Sequence, residues 1–148
     1  TLVSNLGFAA GKLKGEGIRL LVEPINTFDI PGFFLHGTRQ ALDLIHAAGS
    51  DNLFLQYDIY HMQRMEGELA ATIKANLGQI AHIQLADNPG RFEPGTGEIN
   101  YRYLLGMLDE IGYEGWVGCE YKPRASTAQG LHWMADHGLQ APPVARVA

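Results

Sequence analysis

The sequence has very little cysteine and no long hydrophobic run. Cys119 is the only cysteine among 148 residues, which excludes an intramolecular disulfide framework and a CxxC zinc site. No stretch approaches the roughly 18 consecutive apolar residues that a membrane span requires, and the N-terminus lacks the layout of a secretory signal. These absences predict a soluble cytoplasmic protein with no membrane partner, and the apolar neighbours of Cys119 predict an inert buried thiol.

Basic residues are also scarce. Eleven Lys and Arg stand against sixteen Asp and Glu, for a formal net charge of -5, and no basic run marks a surface that could follow a phosphate backbone. The segment 95–97 (Gly-Thr-Gly) lacks the GK[ST] of a P-loop and the spacing of a dinucleotide fingerprint, so a turn before the next helix is predicted there. We therefore expect neither a nucleic-acid partner nor a nucleotide cofactor.

What the chain does contain is a globular composition, 46% hydrophobic and 18% charged, with strands and helices in alternation. Helical spacing is found from residue 2, after Thr38 as a cap, after 65–66, after Asn100, and over 128–134 before Pro142-Pro143. Short apolar runs typical of buried parallel strands lie between these segments. They cover residues 20–25, 53–58, 80–87 and 116–121.

Four βα units predict a parallel sheet, either doubly wound or part of a (β/α)8 barrel. A complete barrel needs about 250 residues, so this chain would supply half of one. An open half leaves two unpaired strand edges and an apolar inner face. We therefore expect residues 1–148 to be one partial domain of a longer protein, or a chain whose barrel another chain closes.

Side chains with oxygen ligands stand at or near the carboxyl end of each predicted strand, which is the end where ligands bind in parallel α/β folds. Each has an ordinary explanation by itself, such as a helix cap, a satisfied backbone group or a salt bridge. Together, three carboxylates and one amide on a common rim suit a hard divalent cation, Mg2+ or Mn2+. The four residues of this rim are Glu23, Asp58, Gln84 and Glu120.

Three further polar residues lie close to the rim in sequence. His61 follows Asp58 by three residues and is a candidate for holding a substrate oxygen or moving a proton, or is a plain loop residue. Arg91 and Lys122 are candidates for binding an anionic substrate through charge-assisted hydrogen bonds. A solvated surface charge is the alternative for both, and it is the favoured interpretation of Lys122.

Several segments, taken together, closely resemble the C-terminal half of the hydroxypyruvate isomerase family, within the xylose-isomerase-like TIM-barrel superfamily. The resemblance extends from about residue 20 to residue 134, and single elements of it are shared by sugar isomerases, epimerases and endonuclease-IV-like enzymes. The segments are VEPIN, LQYDIYHMQ, HIQLADNPGRFEPGTGEINY and GWVGCEYKP.

The resemblance implies a (β/α)8 barrel with a divalent metal that interconverts hydroxypyruvate and tartronate semialdehyde. By motif, the metal ligands would be the four rim residues, and the acid-base pair would be Glu23 and Glu120. His61 and Arg91 match substrate-contacting positions of the family. A histidine commonly replaces Gln84 in the related epimerases, so Gln84 favours the hydroxypyruvate isomerase branch.

Two alternatives remain at the level of the sequence. One is an isomerase or epimerase of a related sugar acid, such as a 2-oxo-tetronate, because the loops that decide the substrate are only half present. The other is a non-catalytic half-barrel that pairs with a partner chain, either a second copy or a separate N-terminal half. The retained set of four ligands favours an encoded isomerase.

Overall fold

The computed structural model describes residues 1–139, and the predicted alternation of strands and helices is present there. Four strands form one parallel sheet: β1 (Leu20–Val22), β2 (Leu53–Asp58), β3 (Ile80–Leu85) and β4 (Trp116–Cys119). The helices are α1 (Leu2–Gly15), α2 (Thr38–Ala48), α3 (Ile59–Met65), α4 (Leu69–Asn76), α5 (Tyr101–Glu110), α6 (Thr127–Gly130) and α7 (Trp133–Asp136), and a 3-10 turn (Leu77–Gln79) precedes β3.

The strand order separates the two architectures that the sequence left open. Neighbouring strands follow chain order, β1-β2-β3-β4, whereas a doubly wound sheet reverses its order at a switch point. No such reversal occurs among residues 1–139. Sequential parallel strands joined by helices are the repeat of a (β/α)8 barrel, and four of them make about half of one.

Among residues 1–139, helices cover only one face of the sheet. Leu53, Leu55 and Tyr57 of β2 are buried in the core, whereas the alternating Phe54 and Gln56 are half-buried on the other face. Alternation along a strand sends successive side chains to opposite faces. The open inner face is mixed in character, which differs from the apolar surface expected, since Gln56 lies on it.

Strand β4 is not the buried strand that its apolar residues predicted. Trp116 is 84% exposed and Cys119 is exposed, so the prediction that this thiol is buried is also wrong. The reason is the position of β4 at the edge of the sheet, where no described strand lies beyond it. Its apolar side chains therefore have neighbours on one side only.

Helix starts were predicted with mixed success. Asn100 caps α5, accepting a hydrogen bond from the Tyr103 N–H at 3.0 Å. Thr38 is not the cap of α2, because the cap position belongs to Gly37. The Thr38 N–H instead donates to Oε1 of Glu66 at 2.6 Å, so a side chain from beyond α3 satisfies the free amide that a local cap would satisfy.

The predicted C-terminal helix is two short ones, α6 and α7. The Tyr121 hydroxyl donates to the carbonyl of Gly130 at 2.7 Å, where α6 ends. The predicted stop at Pro142-Pro143 lies outside the described residues. Within residues 1–139, no helix combines the length and the apolar character needed to cross a membrane.

Candidate active site

Three carboxylates from three different strands converge at the carboxyl edge of the sheet. Glu23 follows β1, Asp58 ends β2 and Glu120 follows β4. One ligand atom from each, together with one from His61, lies within 4.8 Å of all the others. The parallel register brings the strand ends to a common level, since Asp58 pairs with Gln84 and Gln84 with Gly118.

The two carboxylate oxygens of Asp58 have different surroundings. Oδ1 caps α3 by accepting hydrogen bonds from the N–H groups of Tyr60 and His61, at 2.8 and 3.4 Å. Oδ2 is buried and has no hydrogen-bond partner among the described residues. The helix-cap interpretation of Asp58 is therefore right for one oxygen, while the other is free for a ligand.

Burial dominates the protonation of Asp58. It raises the pKa of Asp58 to about 7, against the opposing positive charge of Arg91, whose Nη2 lies 3.6 Å from Oδ2. Burial, followed by the negative charge of Glu120, also raises the pKa of Glu23. The carboxylates thus raise one another's pKa, which is the electrostatic situation that a bound cation relieves.

Gln84 is connected to the carboxylates through Gln56. The Gln56 Nε2 group donates to Oε2 of Glu23 at 2.8 Å and to Oε1 of Gln84 at 2.6 Å. Gln84 is therefore one bridging amide away from Glu23. Its predicted role as a metal ligand stays a prediction.

Glu120 forms an ion pair with Arg91. The Arg91 Nη2 group lies 2.5 Å from Oε2 of Glu120, and the Glu120 side chain is 46% exposed. The Glu120 N–H donates to the Leu85 carbonyl at 3.0 Å, which continues the pairing of β4 with β3 beyond the last strand residue. The guanidinium thus lies beside two carboxylates of the rim.

The loop that carries Arg91 is organised around a buried carboxylate. Asp87 Oδ1 accepts hydrogen bonds from the N–H groups of Asn88 and Ile99, and Oδ2 accepts from those of Gly95 and Gly97, all between 2.9 and 3.1 Å. Four backbone donors on one buried side chain fix the path of residues 88–99. The segment 95–97 is the turn that the sequence predicted before α5.

Arg91 itself has a left-handed backbone, with φ of 59°. Its N–H donates to the Asp87 carbonyl at 3.0 Å, and its own carbonyl accepts from the Lys122 N–H at 2.7 Å. A left-handed conformation costs free energy for a residue with a side chain, and such conformations cluster at functional sites. The backbone contacts hold this conformation and direct the guanidinium to the rim.

His61 lies in the first turn of α3, which the sequence did not predict. It is buried, and its Nε2 is 3.6 Å from Asp58 Oδ2. Burial, with the positive charge of Arg91 as the second cause, lowers the pKa of His61 to about 4. His61 is therefore a neutral imidazole at physiological pH.

A cavity of about 490 Å³ opens at the rim, a size typical of small-molecule sites. Lys122 is an exposed residue that lines it, so the structure places this predicted substrate-binding residue at the cavity while leaving it solvated. Other polar residues of the lining are Glu23, Asp29, Tyr60, His61, Arg64, Asn88, Arg91 and Glu120.

The rim fits a hard divalent cation in the chemistry of its donors. Two oxygens on opposite sides of such a cation lie about 4 to 5 Å apart, given metal–oxygen distances of roughly 2.0 to 2.6 Å. The 4.8 Å limit on the separations of the ligand atoms agrees with that span. The unpartnered Oδ2 of Asp58 is a buried acceptor that a cation would satisfy.

Sequence reasoning missed three residues that support the site. Asp87 carries the loop of Arg91, Gln56 bridges two rim residues, and Asn26 contacts His61. Gln56 had a usable signal, since strand alternation puts it on the same face as Asp58. Asn26 and Asp87 had none, because their roles depend on contacts that form only on folding, with the His61 side chain for Asn26 and with the amides of Gly95, Gly97 and Ile99 for Asp87.

The chain has four βα units that form half a barrel, with carboxylates at the carboxyl ends of the strands. This arrangement defines a class of barrel enzymes, and comparison with known proteins agrees with that class. The sequence profile described as xylose isomerase-like TIM barrel matches residues 1–137. The chain belongs to this family, which confirms the predicted (β/α)8 barrel type. That its units form the C-terminal half stays a prediction.

Individual relatives make the kinship more specific. The chain is 62% identical over 134 residues to hydroxypyruvate isomerase of Escherichia coli K12, which covers 90% of this chain and 52% of the relative. It is 46% identical over 137 residues to 2-oxo-tetronate isomerase of Cupriavidus necator, covering 93% of this chain and 53% of that protein.

A solved structure gives the same picture in three dimensions. The crystal structure of AP endonuclease, family 2 from Brucella melitensis matches with a TM-score of 0.88 and 44% identity, over 91% of this chain and 52% of the other. The chain thus spans about half the length of the relatives it matches.

Proposed function

We propose that the chain encodes the metal site and acid-base residues of an isomerase that interconverts hydroxypyruvate and 2-hydroxy-3-oxopropanoate (tartronate semialdehyde) through an enediolate. The observation that carries the proposal is the convergence of Glu23, Asp58 and Glu120 on one rim, with Asp58 Oδ2 unpartnered. The 62% identity to a hydroxypyruvate isomerase supports the choice of substrate.

The rim residues Glu23, Asp58, Gln84 and Glu120 would hold Mg2+ or Mn2+. The cation would supply polarisation of the substrate carbonyl and stabilisation of the negative charge that develops on oxygen. This set contains only carboxylate and amide oxygens, the ligands that these hard cations prefer. No nucleotide cofactor is required, because the reaction is redox-neutral within one molecule.

The proton transfers fall to the two glutamates. One carboxylate removes a proton from C3 of hydroxypyruvate and a proton is returned to C2, while the proton of the C3 hydroxyl passes to the C2 oxygen. The carbonyl thus moves from C2 to C3, and no atom is gained or lost. Glu23 and Glu120 approach the rim from different strands, which gives two carboxylates for these two carbons.

The substrate carboxylate needs a cation of its own. Arg91 and Lys122 line the cavity, and Arg91 already makes a charge-assisted hydrogen bond to a carboxylate, that of Glu120. Neutral His61 offers a hydrogen bond to a substrate oxygen. These three residues are the proposed substrate-binding set for a small anionic hydroxy or oxo acid.

A second candidate reaction is the isomerisation of a 2-oxo-tetronate, which the 46% identity to 2-oxo-tetronate isomerase favours. That substrate has one more carbon than hydroxypyruvate but carries the same carboxylate and the same adjacent oxygens. The same rim serves both reactions, and the loops around the cavity decide between them.

Because the chain spans about half of its relatives, we propose that the complete active site includes a second half-barrel. It would come from an N-terminal half or from another copy of the chain, and it would cover the open inner face. The non-catalytic half-barrel remains the alternative from another class.

Variant Glu120→Gln tests the proposal. The protein is incubated with hydroxypyruvate and Mg2+ or Mn2+, and the aldehyde product is followed with and without chelator. We expect chelation to abolish turnover, and Glu120→Gln to lower kcat at least about 100-fold, since it removes both a ligand charge and a proton carrier. Glu110→Gln, at an exposed position of α5, is the matched control and should retain full rate.

Three results would contradict the proposal. Full turnover in chelator would exclude the metal, and full turnover of Glu120→Gln would exclude that glutamate. A protein that contains both barrel halves, binds Mn2+ and turns over neither acid would favour the non-catalytic alternative. Parallel assays with a 2-oxo-tetronate, compared by kcat/KM, separate the two substrates.

A further inference from the structure

Asn26 is fully buried in the segment after β1, and its amide orientation is fixed by the backbone. Its Oδ1 accepts hydrogen bonds from the N–H groups of Phe28 and Asp29, at 3.1 and 2.8 Å. Backbone N–H groups only donate, so an oxygen has to face them. The Nδ2 group therefore points the other way, toward His61.

Two donors from Asn26 meet the same nitrogen of His61. The Asn26 backbone N–H donates to His61 Nδ1 at 3.2 Å, and Asn26 Nδ2 lies 2.6 Å from the same atom. A neutral imidazole has one acceptor nitrogen and one N–H. Nδ1 has to be the acceptor here, so the proton of His61 is on Nε2.

The protonated Nε2 is the nitrogen that faces the rim, 3.6 Å from Asp58 Oδ2. An N–H nitrogen has no lone pair for a metal, although its position among the carboxylates is close enough for one. His61 therefore offers the rim a hydrogen-bond donor, which suits an anionic oxygen of substrate or carboxylate.

We propose that Asn26 is a positioning residue that holds His61 in its Nε2–H tautomer, so that His61 donates a hydrogen bond to substrate and does not ligate the metal. The identity of the substrate rests on the proposed function. The tautomer itself rests only on the contacts of Asn26.

The tautomer can be measured directly in the wild-type protein by imidazole 15N NMR. We expect the His61 signals of an unprotonated Nδ1 and a protonated Nε2, with a His61→Gln sample used for assignment. A protonated Nδ1 in the wild-type protein, or comparable amounts of both tautomers, would overturn the proposal. This measurement needs no Asn26 variant to fold.

Variant Asn26→Asp then tests the cause. The new side chain has the same shape and keeps an oxygen for the Phe28 and Asp29 amides, but it turns an acceptor toward His61 Nδ1. A carboxylate outcompetes the remaining neutral backbone donor, so Nδ1 should gain a proton. We expect the NMR signature to change accordingly, and kcat/KM to fall about 10- to 100-fold.

Asn76→Asp is the matched control. The Asn76 side-chain amide also donates a hydrogen bond, in this case to the Thr72 carbonyl at 2.8 Å, but it lies in α4 and not at the cavity. It should change neither the His61 signals nor kcat/KM. An unchanged Nδ1 signal in folded Asn26→Asp would overturn the proposal.

The outcomes for the two proposals are distinguishable. A protein with both barrel halves that shows the expected tautomer but no isomerase activity overturns the proposed function and supports the role of Asn26 in holding His61. Isomerase activity with the opposite tautomer supports the proposed function and overturns the role of Asn26.

Discussion

Asp58 and Asp29 are carboxylates on opposite sides of His61, and their surroundings drive their protonation in opposite directions. Burial raises the pKa of Asp58 to about 7. Asp29 also experiences a rise from burial, but hydrogen bonds from Asn26, Tyr60 and Arg64 outweigh it and lower its pKa to about 2. Full burial decides the direction for Asp58, whereas three side-chain donors outweigh the effect of burial for the partly exposed Asp29.

The lowered pKa of Asp29 predicts a specific pH dependence of stability. Because the pKa in the folded protein is below the ordinary 3.8, the contribution of the ionised group is complete above about pH 4 and is lost as the pH falls toward 2. The difference in free energy of unfolding between the wild type and Asp29→Asn should therefore shrink over that interval. Urea unfolding at a series of pH values measures it.

Asp43→Asn provides the comparison for Asp29→Asn. Asp43 also pairs with an arginine, Arg39, but its side chain is 64% exposed, against 37% for Asp29. A smaller change in the free energy of unfolding at neutral pH is expected for it, since solvent screens an exposed pair. A difference for Asp29→Asn that grows as the pH falls would contradict the assignment.

At the scale of single residues, the sequence predicted which residues lie at the rim better than it predicted the residues that hold them in place. Glu23, Asp58 and Glu120 could be found because strand ends share one edge of a parallel sheet, and the structure brings them together. Asn26 and Asp87 could not, because Asn26 contacts His61, 35 residues away, and Asp87 accepts from loop amides up to 12 residues away, and both sets of contacts form only on folding.

At the scale of elements, the loop 88–99 is the structure on which Arg91 depends. Its path passes so close to itself at Gly97 that a Cβ there would lie 2.1 Å from the Asn88 carbonyl oxygen and 2.7 Å from Asp87 Oδ1. Glycine is therefore required at this position by close approach of the backbone.

Variant Gly97→Ala should consequently displace the loop. We expect a loss of about 1 to 3 kcal/mol in the free energy of unfolding, as for other overpacked positions, together with a higher KM because Arg91 moves with the loop. Gly106→Ala, in α5 with no heavy atom within 4 Å of the new Cβ, should instead gain about 0.5 to 1 kcal/mol. An unchanged KM in Gly97→Ala would contradict the role of Arg91 in substrate binding.

The elements themselves were predictable where local patterns govern them. Helical spacing predicted α1, α2, α4 and α5, because each has a periodic apolar face. Helix α3 was missed because Asp58 both ends β2 and caps the helix, with no linker to mark the boundary. The start of α2 was wrong by one residue because Glu66, distant in sequence, replaces the local cap.

At the scale of the whole molecule, the sheet has open edges and an open inner face. The two tryptophans report on this directly: Trp116 on edge strand β4 is 84% exposed, whereas Trp133 is 8% exposed. The alternation of units predicted a half-barrel from sequence alone. It was less predictable which side chains lie on its inner surface and how buried they are, since burial there depends on a part of the barrel that residues 1–139 do not contain.

Fluorescence quenching tests whether the edge and the inner face of the sheet are open to solvent. In the chain as it stands, iodide should quench most of the Trp116 emission, and Trp116→Phe should remove the quenchable component, while Trp133→Phe should leave it. In a longer protein that contains both barrel halves, or in an assembly that closes the inner face, Trp116 should become protected. Trp116 that is already protected in the monomeric chain would contradict the open half-barrel.

The separate roles of the two Asp58 oxygens have a consequence for how members of this family change once activity is lost. One oxygen caps a helix and the other is free for a ligand, so selection for folding alone retains Asp58 even after activity is gone. Glu120 is half-exposed, and its side chain pairs with Arg91 but caps no helix among residues 1–139. In an inactive descendant, substitution is therefore expected at Glu120 before it is expected at Asp58. The identity of residue 120 is the better marker for distinguishing active from inactive copies of this gene.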